Sequence, residues 1–250
     1  MLELIELESI TIQSKHKQGV DPDLNGEISS VKFKGINLVK AILKKDVVIN
    51  KVTISNSNIM GKIPFPKEAL PPIILPLNIR IGIVLFDKIN LSIRNTSTAQ
   101  AISMKDGVLK LPHLQAEKQD TLSPGIIKKF DFEAEEFISV SADSMYSLTA
   151  NGIVYSSVSN TLAVNSYSIY PNYTNYDFTS RYEFQTDRIE ACFRNIYFYD
   201  LNAAGYFRSG SLISSYIEIG KMDMKVFRDN RKKFRHLNKH VFQEVSLKDN

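Results

Sequence analysis

Along most of the chain apolar and polar residues alternate one for one, the period of a half-buried β-strand. Leu2–Ile12 alternates from the outset, with a slip near Ile5, and Val31–Lys34 and Asp46–Met60 follow the same rule. Between these two, Ile36–Lys45 changes to helical spacing. Its apolar residues fall at Ile36, Val39, Ile42 and Leu43, which predicts a short amphipathic helix. Strands are predicted again at 78–86, 88–95, 98–104 and 107–111, with Lys105-Asp106-Gly107 as a hairpin turn. More are predicted at 129–141, 145–150, 152–158 and 161–169, with Asn151-Gly152 and Ser159-Asn160 as turns. Alternation resumes after Pro171 through Asp177–Thr186, Arg188–Tyr199 and Leu212–Val226, while the less periodic Tyr167–Tyr176 reads as a loop. Many short strands with one or two short helices predict a mainly β fold, an antiparallel meander rather than βαβ units.

Pro64, Pro66, Pro71, Pro72 and Pro76 interrupt this pattern, because proline fixes φ and removes a ladder donor. The expected organisation is therefore a strand–helix–strand module at 1–61, a prolyl linker at 62–77, a β-meander module at 78–227 and a basic linker opening a next strand at 228–250. The first module also resembles the end of the second. Val31–Met60 and Ile196–Lys225 align without gaps at a shift of 165, with three identities in thirty positions but twelve positions apolar in both. Random pairing at 43% apolar gives about half that number, so a structural repeat is expected. Each copy leads into a connector and then a fresh alternating run, Ile79–Ile93 after the first and Val241–Leu247 after the second. A chain that opens and closes within strands is expected to be a segment of something longer, since such ends leave unpaired edges.

Composition narrows the function classes. The 43% apolar and 23% charged residues are those of an ordinary folded chain. The longest apolar runs, Pro71–Leu77 and Ile81–Phe86, are far short of the ~20 residues of a membrane helix, and Met1–Glu6 lacks the features of a signal peptide. A net charge of +4, mixed along the chain, gives no nucleic-acid footprint. Cys192 is the sole cysteine, which excludes an internal disulfide and multi-cysteine zinc sites. All 11 tyrosines lie between Tyr146 and Tyr216.

Catalytic patterns are scarce. The sequence contains no phosphate-binding glycine loop, no HExxH and no GxSxG, and implies no cofactor. His236 and His240 have ligand spacing but sit in the basic run around Arg231–Arg235, which repels a cation. Asp131, Glu133 and Glu135 alternate with Phe130, Phe132 and Ala134, the pattern of a solvated strand face rather than of paired catalytic carboxylates. The basic residues between Lys225 and Lys239 suit either a charged connector or contact with phosphate-bearing headgroups. The tyrosines suit either half-buried strands or a stacking platform for sugars.

Gly35–Ile59 (GINLVKAILKKDVVINKVTISNSNI) and Ser211–Phe234 (SLISSYIEIGKMDMKVFRDNRKKF) resemble a recurring element of the AsmA-like proteins of the bacterial envelope, and Leu77–Ile93 is similar to the opening of their next module. The resemblance covers about a third of the chain and lacks the family's N-terminal membrane anchor. It implies a non-enzymatic, strongly curved open sheet, a taco-like groove with an apolar interior that binds or conducts lipid or supports outer-membrane assembly. It further implies a periplasmic or inner-membrane-anchored location facing the periplasm, with lipid or membrane components and further modules as partners and no nucleic acid. On that reading the groove is lined by Ile10, Ile12, Val31, Phe33, Val52, Ile54, Phe130, Phe132, Ile217 and Ile219. Headgroup or anion contacts fall to Arg228, Arg231, Lys232, Lys233 and Arg235. The alternative is a β-sandwich adhesin or carbohydrate-binding module that uses the tyrosine-rich half.

Overall fold

In the computed structural model the alternating segments become the strands of one sheet. The structure describes residues 2–14, 23–63, 73–74, 77–96, 98–117, 121–122, 127, 129–203 and 213–234. The elements are β1 (Leu2–Gln13), β2 (Asp23–Ile36), α1 (Leu38–Lys44), β3 (Asp46–Ile63), β4 (Ile73–Ile74), β5 (Asn78–Asn95) and β6 (Ala101–Ala116). They continue with β7 (Thr121–Leu122), β8 (Asp131–Val140), β9 (Tyr146–Ser156), β10 (Thr161–Pro171), α2 (Asn175–Ser180), β11 (Asp187–Tyr199) and β12 (Tyr216–Arg228). Ten strands form an open sheet in the order β1-β2-β3-β5-β6-β8-β9-β10-β11-β12, and β4 pairs with β7 alone. Every neighbouring pair in the large sheet is antiparallel except β3–β5.

That parallel pair joins the expected modules 1–61 and 78–227 in one sheet. Asp46 to Ile63 lies beside Asn78 to Asn95 over its full length. The two sides of the 62–77 linker therefore belong to one sheet, and the chain between them makes the long return that parallel pairing requires. The prolines of this stretch lie outside the described residues.

Two expected hairpin turns are corrected. Lys105-Asp106-Gly107 lies inside β6, and Asn151-Gly152 lies inside β9. Both sites do bend the backbone, since Asp106 has φ +48° and Gly152 has φ +60°. They belong to a larger feature. Ser9, Asn56, Lys88, Asp106, Gly152 and Asn195, all with φ between +48° and +60°, fall on one line across the sheet. Along this line ladder pairs are skipped: Ser55 pairs with Asp87 and Ser57 with Ile89, but Asn56 and Lys88 do not pair. The paired strands carry extra residues at the same level, so register is kept across the line, apart from local shifts between β5 and β6 at residues 86–91, while the inward set moves by one. In β3, Val52 and Ile54 face inward before the line, Ser57 and Ile59 after it. A second line, Gly35–Asn50–Gly82–His113, crosses β2, β3, β5 and β6, with φ +73° at Gly35 and +54° at His113. Extra residues of this kind bend strands, and two parallel rows of them crease the sheet lengthwise. The slip expected near Ile5 belongs to the same pattern, since β1 crosses both lines.

Glycine is required where the crease is tightest. A Cβ on Gly35 would lie 2.3 Å from Nδ2 of Asn50, and one on Gly152 would lie 2.1 Å from Nδ2 of Asn165. The facing asparagines cover the bare backbone of the neighbouring strand.

The helix expected at Ile36–Lys45 forms as α1. The Asn37 side chain accepts the Lys40 N–H at 3.1 Å, and Lys45 closes the helix in a left-handed conformation. The strand expected at Asp177–Thr186 is instead α2 followed by turns, and Tyr167–Pro171, expected as loop, completes β10. Alternation misled here because it is the packing of Phe178 that fixes the segment. Phe178 is fully buried against Tyr146 and Tyr182.

The 165-residue shift relates registers as well as sequences. Val31 pairs with Ile54 and Phe33 with Val52; Ile196 pairs with Ile219 and Phe198 with Ile217. The backbone bond from Asn37 N–H to Val48 O has its counterpart from Asn202 N–H to Ile213 O. The left-handed Gly35 corresponds to the left-handed Asp200. The counterpart of α1 after Ala203, and the run Val241–Leu247, lie outside the described residues.

Candidate functional site

The inner face is a continuous apolar surface. Between the two lines and around them Val31, Ile36, Ile49, Val52, Val84 and Leu111 form a buried cluster. Ile10, Phe33, Ile54 and Phe86 pack against it. A second patch joins Ala150, Val164 and Ile196 with Phe137, Tyr167 and Phe193 around them. Cross-strand pairs carry this face on to the edge, where Phe198 meets Ile217, Phe193 meets Met222 and Ala191 meets Met224.

No second layer covers this face among the described residues. Helix α1 lies against β3 and α2 against β11, with α2 rings also on Tyr146 and Phe227, and β4–β7 is only two residues long on each side. What does lie over the face is local. Ile127 and Phe130 pack on the first cluster, while Leu201 and Ala203 pack on Tyr155 beside Phe130, Phe132 and Phe198. Phe130 sits 4.8 Å from Tyr155, ring centre to ring centre, and burial raises the pKa of the Tyr155 hydroxyl. Towards β12 the face opens fully: Ile217, Ile219, Met222, Met224 and Val226 remain about half exposed.

All ten residues expected to line a groove fall on this one face. Ile10, Val31, Phe33, Val52, Ile54 and Phe130 belong to the first cluster. Phe132 packs on the Tyr155 cluster, Ile12 pairs with Gly26 in the row of Ile10 and Ile28, and Ile217 and Ile219 pair with inward residues of β11. Beyond the first line, reasoning from alternation found Ile10 and Ile12 but missed other inward residues, such as Ile28, Phe137, Phe193, Met222 and Met224. The signal was present, since Phe33, Val31 and then Ile28 change parity at Ser29–Ser30.

Two clefts lie beyond the first line, of about 680 and 650 Å³. The first is lined by residues 11–13, 25–27, 58–60 and 90–92, the second by 168–170, 190–192, 194 and 222–225, and in both most lining side chains (Gln13, Glu27 and Asn58; Glu190, Arg194 and Asp223) alternate with the inward set. Gly26 and Ala191, and likewise Ile59 and Met224, are partners at the 165-residue shift. Ser57, 2% exposed, also faces inward, and its hydroxyl has no hydrogen-bond partner among the described residues.

The polar candidates are held differently. Arg228 makes two bonds to Asp187, 2.6 and 2.5 Å, and depresses the pKa of that carboxyl. Arg231 makes two to Asp229, 2.8 and 2.7 Å, and holds it at about 2. Arg231 also lies over the ring of Tyr176, and Lys232 donates to the carbonyls of Thr179 and Tyr182. Arg228 thus ties β12 to β11, while Arg231 and Lys232 fasten the turn after β12 to α2 and the turn that follows it. Lys233 is exposed, and Arg235 lies outside the described residues.

Glu133 and Glu135 are exposed on the outer face, and Glu135 pairs with Lys105 at 2.9 Å, a bond that lowers its pKa. Asp131 accepts from the backbone and hydroxyl of Ser157. Tyr197, Tyr199 and Tyr216 also sit on the outer face, with near-parallel rings 6.3 and 5.7 Å apart. Among the described residues no group of three or more His, Cys, Asp or Glu could hold a metal, and no helix is long and apolar enough to cross a membrane.

Compared with known proteins, the sequence matches no family model and no curated protein.

Proposed function

We propose that this chain is a non-enzymatic, AsmA-like groove segment that binds or conducts lipid acyl chains along its inner face, in the bacterial periplasm. The observation that supports it is the long apolar face left without a covering layer among the described residues. A sheet of this size normally buries such a face against helices or a second sheet. Exposed apolar patches beyond a few hundred Å² mark binding surfaces, and an acyl chain supplies the missing contacts at ~0.8 kcal/mol per buried CH2. The creases favour a trough rather than a plane.

Native mass spectrometry of gently purified protein tests this. Co-purifying phospholipid is expected, removable by organic extraction with the strand content retained. Lipid-free protein that takes up none from vesicles would overturn the reading. A second reading, carbohydrate binding, draws on the outer-face tyrosines Tyr197, Tyr199 and Tyr216. Binding on a glycan array that is lost in Tyr197→Ala/Tyr216→Ala would favour it, and an array without hits would remove it.

A further inference from the structure

The end of the sheet that carries α1 exposes apolar side chains on three separate connections. β2, β6, β9 and β11 end here and β1, β3, β5, β8, β10 and β12 begin here, as the pairing directions dictate. On α1, Val39, Ile42 and Leu43 are 66%, 76% and 75% exposed. At 100° per residue they fill one arc of about 100°, while Ala41 lies on the opposite side and is partly buried. The helix is therefore turned with its apolar stripe towards solvent, the reverse of a helix that packs on its own sheet. Val158, in the β9–β10 turn, is 86% exposed, and Ile213, just before β12, is 62% exposed.

Charge decides among the possible occupants. Lys40, Lys44 and Lys45 flank the apolar stripe, are all exposed and form none of the ion pairs found among the described residues. The helix holds no acidic residue, and the one that follows it, Asp46, is buried and paired with Arg80. Apolar tips ringed by unpaired lysines match the boundary between acyl chains and anionic headgroups, where lysine stems reach outward to phosphate. A protein partner would need a facing acidic and apolar patch, because the exposed charges of α1 and its cap are all cationic; the exposed acids of this end, Glu3, Glu117 and Asp200, lie on other strands and connections.

We propose that this end of the sheet docks on an anionic lipid bilayer. Val39, Ile42 and Leu43 enter the acyl boundary, with Val158 and Ile213 as secondary tips, and Lys40, Lys44 and Lys45 lie among the phosphates. Docking gives the lipid-groove reading its membrane, and it rests on that reading only for its purpose, because vesicle binding is scored separately from lipid held in the groove.

The test is co-sedimentation of the full chain with vesicles of phosphatidylcholine alone or mixed with phosphatidylglycerol. Binding is expected to the mixed vesicles and to weaken as salt rises. The triple variant Lys40→Gln/Lys44→Gln/Lys45→Gln should bind on the order of a hundredfold more weakly, about fivefold per lysine. Ile42→Asp/Leu43→Asp should fall to background on both vesicle types. Both variants should keep the wild-type circular dichroism and thermal midpoint, since the altered side chains are exposed, and should keep any co-purified lipid. Three results would overturn the proposal: no wild-type binding to mixed vesicles, binding unchanged in the aspartate variant, or a wild-type dimer that this variant converts to monomer without any vesicle binding.

Discussion

Gly152→Ala probes the crease that turns the sheet into a trough. Gly152 has φ +60°, and a Cβ there would lie 2.1 Å from Nδ2, 2.6 Å from Cγ and 3.0 Å from Cβ of Asn165. The left-handed conformation costs an alanine ~1–2 kcal/mol. Moving the Asn165 amide aside adds about 1 kcal/mol of rotamer strain. A stiffer unfolded chain returns ~0.4–1 kcal/mol. The expected net loss is about 2 kcal/mol, read as a lower urea midpoint at unchanged slope by circular dichroism and tyrosine fluorescence. Adding Asn165→Ala should recover about 1 kcal/mol, because the amide is what collides and only the φ cost remains. Gly220→Ala, at the same line but without positive φ and with Asn195 Cβ no nearer than 3.1 Å, should cost less than Gly152→Ala. The reasoning fails if Gly152→Ala lies within about 0.5 kcal/mol of wild type, or if Asn165→Ala recovers nothing.

Leu111→Ala, in the buried cluster, should cost about 3 kcal/mol by urea unfolding, whereas Met224→Ala on the open stretch of the same face should cost under about 0.5 kcal/mol. Equal losses at the two sites would mean that the face is covered throughout. Ser57→Ala should raise stability by about 1 kcal/mol in a thermal melt of delipidated protein, because it removes a buried hydroxyl that has no partner among the described residues; a lower midpoint would show that the hydroxyl is satisfied. Asp229, held at about 2 by Arg231, contributes stability that is present above its unfolded value near 4 and lost as pH falls through about 2. Asp229→Asn should therefore be less stable than wild type at pH 7, with the difference closing between about pH 4 and pH 2; a gap that persists unchanged into acid would contradict the Arg231 pairing.

Strand content, α1 and the shared inner face of the ten lining residues were legible because each rests on local alternation or helical spacing. The creases were not. Asp106-Gly107 and Asn151-Gly152 carry the residues of hairpin turns, and a left-handed residue in an edge-to-edge bend uses the same chemistry. What separates the two is whether the chain reverses or continues, and that is set by neighbouring strands far away in sequence. The parallel β3–β5 pair escaped notice for the same reason, since alternation is blind to strand direction. α2 was misread because Tyr176, Phe178 and Tyr182 look like strand residues, yet they pack around one another and on Tyr146 and Phe227. Among the polar candidates, basic composition around Arg228–Lys233 was visible, but the carboxylates Asp187 and Asp229 that engage it become its neighbours only through β11–β12 pairing and the turn after it.

The central claim is that lipid occupies the inner face and not the outer one. Strand β12 separates the two residue by residue, since Ile219 and Met222 face inward while Glu218 and Lys221 face outward. A photo-crosslinking amino acid placed at each of these four positions, with cells irradiated before purification, reads the two faces directly. The account predicts phospholipid adducts at positions 219 and 222 and none at 218 and 221. Adducts at all four positions alike, or at none, would contradict it.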